Sequence, residues 1–123
     1  MNRWIQDTIK NEGKSLRQLE ILITSDTYLL EINRRYLEHN YLTDVITFGE
    51  KRKGFITGEI YISQDRVYEN AGRLGVDPDQ EMYRVIVHGV LHTLGYSDLD
   101  SINRAVMRGK EDFYLKRLLA LQQ

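Results

Sequence analysis

The chain contains no cysteine in its 123 residues. Disulfides, thiolate metal sites and a cysteine nucleophile are therefore excluded, and any metal must be held by imidazole or carboxylate. Proline is almost absent; Pro78 is the only one, so no proline-rich linker divides the chain. Charge of one sign is lacking too. Seventeen basic residues meet 18 acidic ones, for a net charge of −1. No global field draws such a protein to a polyanion or a membrane, so a polyanion must be met by a local patch. No apolar run approaches the ~18 residues of a membrane helix. Met1-Asn2-Arg3-Trp4-Ile5-Gln6-Asp7 lacks the apolar core of a secretory leader. The expected location is the cytoplasm, with no membrane partner. What is present is ordinary for a folded protein: 41% hydrophobic and 28% charged residues. The length fits one domain over residues 1–123, with about two-thirds of the chain's surface buried on folding. There is no repeat and no low-complexity tract.

Periodicity and breakers divide the chain. Residues 3–11 predict a short helix with Trp4, Ile5, Thr8 and Ile9 on one face, ended by Gly13. Leu19 to Thr24 alternates like a strand with one face on a core. Ser25 or Asp26 can cap a helix over about 27–38, whose apolar stripe is Leu29, Leu30, Ile32 and Tyr36. Val45-Ile46-Thr47-Phe48 reads as a strand, Lys51 to Gly54 as a turn, and Gly58 to Ser63 as another strand. Ser63 caps a helix to about Leu74, stopped by Gly75. Asp77-Pro78 starts the next helix, which runs to about Leu94 and stops at Gly95. Asp100 or Ser101 caps a last helix to about Leu121. Strands come early and helices dominate later, which predicts a small α+β domain.

The chemistry concentrates in His88-Gly89-Val90-Leu91-His92-Thr93-Leu94-Gly95-Tyr96-Ser97-Asp98. Four-residue spacing on a helix places both imidazoles on one face, one turn apart. Two such imidazoles can share one metal. Gly95 permits the positive φ that turns the chain back, and Asp98 can then offer a carboxylate oxygen as third ligand. Asp100 is its rival. Three protein ligands leave a fourth position open for water, as in catalytic zinc sites. Mixed imidazole and carboxylate donors favour Zn²⁺, one per chain, and the expected chemistry is hydrolysis by a water activated at His88, His92 and Asp98. Val85, Ile86, Val87, Val90, Leu91 and Leu94 make this the central, buried helix.

The spacing of His88, His92, Gly95 and Asp98 resembles the metzincin frame HExxHxxGxxH. Gly89, however, stands where that frame has its general-base Glu. The segment is more similar to the HGxLHxxGYxH signature of the YbeY family of bacterial endoribonucleases. Asn33 and Tyr36 match that family's N-x-x-Y element, Thr43-Asp44-Val45-Ile46-Thr47-Phe48 its TDVLSF strand, and Gly58 to Ser63 its GDIxIS strand. Met107 and Glu111 match the closing M-x-x-x-E. The resemblance spans about residues 30–112 in order. Four departures stand out. Asp98 replaces the usual third His, Leu37 an Arg that serves the RNA backbone, and Leu42 a Pro. The strand that members tend to carry before the first helix is not read here.

The resemblance implies a metal-bearing central helix on a mixed sheet of about four strands, in a metzincin-like zincin frame. It implies metal-dependent cleavage of single-stranded RNA, chiefly rRNA: maturation of the 3′ end of 16S rRNA and ribosome quality control, with the small subunit or ribosome-associated proteins as partners. With Leu37 uncharged, phosphate contacts are expected from Arg34, Arg35 and the Lys51-Arg52-Lys53 turn. His39 is read as a surface residue, Thr43 and Asp44 as turn caps, and Met107 as core filler. Glu111 is read as a surface charge in preference to a partner of a metal-bound His. Two other functions compete: a metzincin-like zinc peptidase, which the loss of the base at Gly89 opposes, and a non-catalytic ribosome assembly factor with a structural metal.

Overall fold

The computed structural model describes residues 2–39, 43–52 and 54–122. Eight elements follow in order: α1 Asn2–Asn11, β1 Ser15–Thr24, α2 Asp26–Leu37, β2 Val45–Arg52, β3 Phe55–Ser63, α3 Gln64–Leu74, α4 Pro78–Thr93 and α5 Ser101–Gln122. The α+β class is as expected, and α2, α3, α4 and α5 each start where a capping side chain stands. Ser25 accepts from the Tyr28 N–H, Ser63 from Arg66 and Asp77 from Gln80. Of the two candidates for the last cap, Asp100 takes the role, accepting from the Asn103 N–H at 2.8 Å. Each cap satisfies a donor that the first helical turn leaves unpaired.

The sheet order is β1-β3-β2, with β1 parallel and β2 antiparallel to β3. The strands run longer than alternation alone predicted. β2 reaches Arg52 because its ladder continues to the Arg52–Phe55 pair of a hairpin. β1 starts at Ser15, opposite Phe55, and an irregularity between Leu16 and Gln18 hides its periodicity. The described residues form three strands, not the four or so that the resemblance implies, because α1 precedes β1 and no described strand precedes α1.

Side chains alternate across a strand, so Thr47 and Ile60, paired in the ladder, face one side. Helix α4 lies on that side, and Ile56, Ile60, Ile62, Val85, Ile86, Val90 and Leu91 form the core between them. The approach is close enough that a Cβ on Gly89 would stand 2.8 Å from Ile60 Cγ2. On the other face α2 covers one end through Leu29, Ile32 and Ile46. Helices α1 and α5 close the far side of α4. The buried Trp4 indole donates to the Tyr114 carbonyl at 2.7 Å, and Arg117 grips Asp7 with two hydrogen bonds of 2.7 and 2.8 Å. Among the described residues no helix is long and apolar enough to cross a membrane.

Candidate metal centre

The site is built by the end of α4 and the turn after it. His88 and His92 project from one face of α4, with their Nε2 atoms 3.1 Å apart. The helix then stops in a Schellman turn: the Tyr96 N–H bonds to the Leu91 carbonyl and the Gly95 N–H to the His92 carbonyl, both at 3.0 Å. Gly95 has φ +104°, a conformation costly for a residue with a Cβ. The reversal brings Asp98 Oδ2 to 3.3 Å from His88 Nε2 and 3.4 Å from His92 Nε2. These three form the one group among the described residues whose donor atoms converge as metal ligands do. Asp100, the rival, is occupied at its cap by the Asn103 backbone and side-chain amides.

The outer ring nitrogens are both engaged. His92 Nδ1 lies 3.1 Å from the Tyr96 carbonyl oxygen and His88 Nδ1 2.6 Å from Glu111 Oε2. A carbonyl and a carboxylate only accept, so each Nδ1 carries a proton, and it is the Nε2 of each ring that is left to offer a lone pair to a metal. Two Nε2 atoms and a carboxylate oxygen held within 3.4 Å of one another must share a proton or a metal cation. The donor set therefore fits a bound metal ion, with the orienting partners that metal-bound histidines ordinarily have.

Glu111 is buried, at 4% exposure, so it is not the surface charge expected from sequence. It receives His88 on one oxygen and Arg84 on the other at 2.8 Å. Burial alone would push its carboxyl pKa up. The hydrogen bonds from His88 and Arg84 outweigh that and hold it below the usual carboxylate value. Burial likewise disfavours charge on His88, but the Glu111 hydrogen bond and the nearby Asp98 and Asp44 carboxylates raise its pKa above that of an ordinary imidazole. Arg84 also holds Asp112 at 2.6 Å.

Two clefts meet at the ligands. One is bordered by Asn33, Leu37, His39 and Thr47. The other, of about 310 Å³, runs between α4 and α5 along Glu81, Arg84, Arg104 and Arg108. Asp44 borders both. Its backbone carbonyl also caps the Ser63 N–H at 2.9 Å. His39 is exposed, as expected, yet lies at the rim of the first cleft. Met107 is core, at 2% exposure. Asn33 is buried, while Tyr36 is exposed and edges onto Phe48. The phosphate contacts expected from sequence fall elsewhere. Arg34 and Arg35 are exposed on α2, Arg35 is paired with Glu31 at 3.4 Å, and neither lines either cleft. Lys53 lies outside the described residues, as do the side chains of Lys51 and Arg52. Sequence reasoning missed Arg84, the Tyr96 carbonyl and the two α5 arginines. For the arginines one signal was available: residues 104, 108 and 111 fall on one face of a helix, and 111 belonged to a matched motif.

Comparison with known proteins gives the family and the fold. The family model described as Endoribonuclease YbeY matches residues 1–119. The Endoribonuclease YbeY of Flavobacterium psychrophilum is 45% identical over 113 residues, covering 92% of this chain and 81% of the relative. That of Amoebophilus asiaticus is 46% identical over 114 residues, covering 91% and 77%. The solution structure of TM1509 from Thermotoga maritima superposes with a TM-score of 0.74 over 98% of this chain and 80% of that one. At 24% identity that likeness speaks for the fold alone.

Proposed function

This chain belongs to the endoribonuclease YbeY family, and from that premise we propose that it cuts single-stranded rRNA with one Zn²⁺ held by His88, His92 and Asp98. The proposed setting is the cytoplasm, in maturation of the 3′ end of 16S rRNA and in ribosome quality control, with the small subunit or its bound proteins as partner.

The observation that carries the reading is the spacing of the three donors. A tetrahedral ion with bonds of ~2.0–2.1 Å sets its ligand atoms about 3.3–3.4 Å apart. The three separations here are 3.1, 3.3 and 3.4 Å. Zinc suits this mixture of imidazole and carboxylate. When bound, the ion would supply a Lewis acid that stabilises charge on a phosphate oxygen and acidifies a nearby hydroxyl or water. The chain's own residues do the rest. Glu111 and the Tyr96 carbonyl fix the ring planes and tautomers of His88 and His92. The Schellman turn fixes Asp98. The exposed sides of the three ligands, each 24–38% accessible at the side chain, leave the site open to a flexible strand.

The peptidase alternative is opposed by Gly89. A Cβ there would stand 2.8 Å from Ile60 Cγ2 on the sheet, so the close packing of α4 on the sheet disfavours the glutamate that the peptidase frame needs at this position. The test is elemental analysis of purified protein joined to cleavage of single-stranded and duplex RNA. About one zinc per chain is expected, with cutting confined to single strands and abolished by His88→Ala. Failure to bind metal on reconstitution would sink the site. A zinc-loaded protein that cuts no RNA would favour the assembly-factor role, and one that cuts peptides the peptidase.

A further inference from the structure

We infer that Arg104 and Arg108, on the site-facing side of α5, bind the phosphodiester backbone of the RNA strand beside the scissile bond. This rests on the ribonuclease reading above and assigns the strand's path on this protein.

Glu111 identifies the face. It is buried against His88, and residues seven and three positions earlier on the same helix, Arg104 and Arg108, lie on that side, one turn apart. Both line the cleft that ends at His88 and Asp98. Arg104 stands nearer the ligands, where its Nη1 donates to the Asp98 carbonyl at 3.3 Å. Arg108 lies one turn farther out and makes no ion pair among the described residues. Both are exposed. An exposed guanidinium with open donors, next to a centre that acts on phosphodiesters, is suited to a bidentate phosphate contact.

Most other charges along this cleft are committed, and the Asp44 carboxylate borders it as well. Arg84 is committed to Glu111 and Asp112. The Glu111 carboxylate is neutralised by His88 and Arg84. Burial raises the Glu81 carboxyl pKa, helped by Asp44 and opposed by Arg84 and Arg108, so Glu81 is less acidic than an exposed Glu. Helix α2 borders the other cleft with Leu37, and neither Arg34 nor Arg35 lines either cleft. Among the described residues, the cleft cations not held by a carboxylate are those on α5. The scissile phosphate lies at the ligands near Arg104, and the neighbouring phosphate lies at Arg108.

Arg108 gives the cleaner test, because Arg104 also touches the loop that carries Asp98. In zinc-loaded protein, Arg108→Ala should raise KM and Kd for a single-stranded oligoribonucleotide about fivefold to tenfold, with kcat within about twofold. The slope of log Kd against log salt should fall by ~0.7, the share of one phosphate on a single strand. Arg108→Glu should weaken binding further and Arg108→Lys should restore most of it, all three with wild-type zinc content. Arg104→Gln should weaken binding similarly. If wild type binds and cuts RNA while Arg108→Ala and Arg108→Glu keep its KM and salt slope, the inference is wrong and the ribonuclease reading stands. If wild type neither binds nor cuts, the ribonuclease reading fails and takes this inference with it.

Discussion

Replacing Glu111 by Gln isolates the contribution of one buried carboxylate to metal binding. The carboxylate receives two donors, His88 Nδ1–H at 2.6 Å and Arg84 Nη1–H at 2.8 Å, one on each oxygen. Glutamine has the same shape but only one acceptor oxygen; its other arm is an NH₂ that must face one of those donors. Either His88 loses its orienting partner or Arg84 is left with an unpaired N–H. The side chain is 4% exposed, so water cannot substitute. Loss of such a partner typically weakens metal binding ~10–100-fold, which is about 1.4–2.7 kcal/mol. We therefore expect Glu111→Gln to raise the zinc Kd by that factor in competition with a chromogenic chelator. The metal-free variant should also lose ~1–3 kcal/mol in a urea melt for the donor left unmatched. Asp112→Asn is the control, since it removes the other partner of Arg84 without touching His88, and should leave zinc affinity unchanged. If Glu111→Leu, which offers His88 no acceptor at all, kept wild-type zinc affinity while losing stability, Glu111 would be a core-closing residue, and the tautomer argument for His88 would fall.

Two further outcomes follow from the packing. Gly89→Ala places a methyl 2.8 Å from Ile60 Cγ2, and overpacking of this kind costs ~1–3 kcal/mol. Thermal melts should show that loss, and combining it with Ile60→Ala should cost less than the sum of the two; strict additivity would refute the clash. Glu12 gives the pH dependence. Burial would raise its pKa, but hydrogen bonds from Tyr114, Tyr96 and Lys110 hold it below 4.5. A depressed carboxyl stabilises the fold above its unfolded pKa and loses that contribution as pH falls through the folded value. Glu12→Gln should cost ~1.5–3 kcal/mol at neutral pH, and the gap from wild type should shrink below pH 4.5. A gap independent of pH in urea melts would refute the assignment.

Much of this was legible because it is local. Caps and stops act within one turn, so Ser25, Ser63, Asp77 and Gly95 marked their helix ends directly in the sequence. The pairing of His88 with His92 needed only helical spacing, and Asp98 needed only a reversal at Gly95. The parts that stayed hidden depend on elements far apart in the chain. Glu111 was read as a surface charge in preference to a partner of a metal-bound His. Only the packing of α5 against α4 buries it on His88. The role of Gly89 was read as the absence of a protease base; its positive role, allowing α4 to lie on Ile60, needs the sheet. The α2 arginines were expected at the phosphate because they neighbour a matched motif, yet an amphipathic helix presents only some of its residues to the site, and Arg34 and Arg35 are not among them.

The long reach of the contacts between α1 and α5 has a consequence for when the protein becomes active. Trp4 binds the Tyr114 carbonyl, Glu12 binds the hydroxyls of Tyr96 and Tyr114, and Arg117 binds Asp7. β1 pairs with β3, not with its neighbour in sequence. Native contacts of such separation form slowly, because loop closure is paid before any contact rewards it. The Glu111 that orients His88 belongs to α5, which is synthesised after α4. During translation the histidines would emerge well before the residue that aims them. A nascent chain would thus carry the ligands without an organised site, and nuclease activity would report on the docking of α5 against α4.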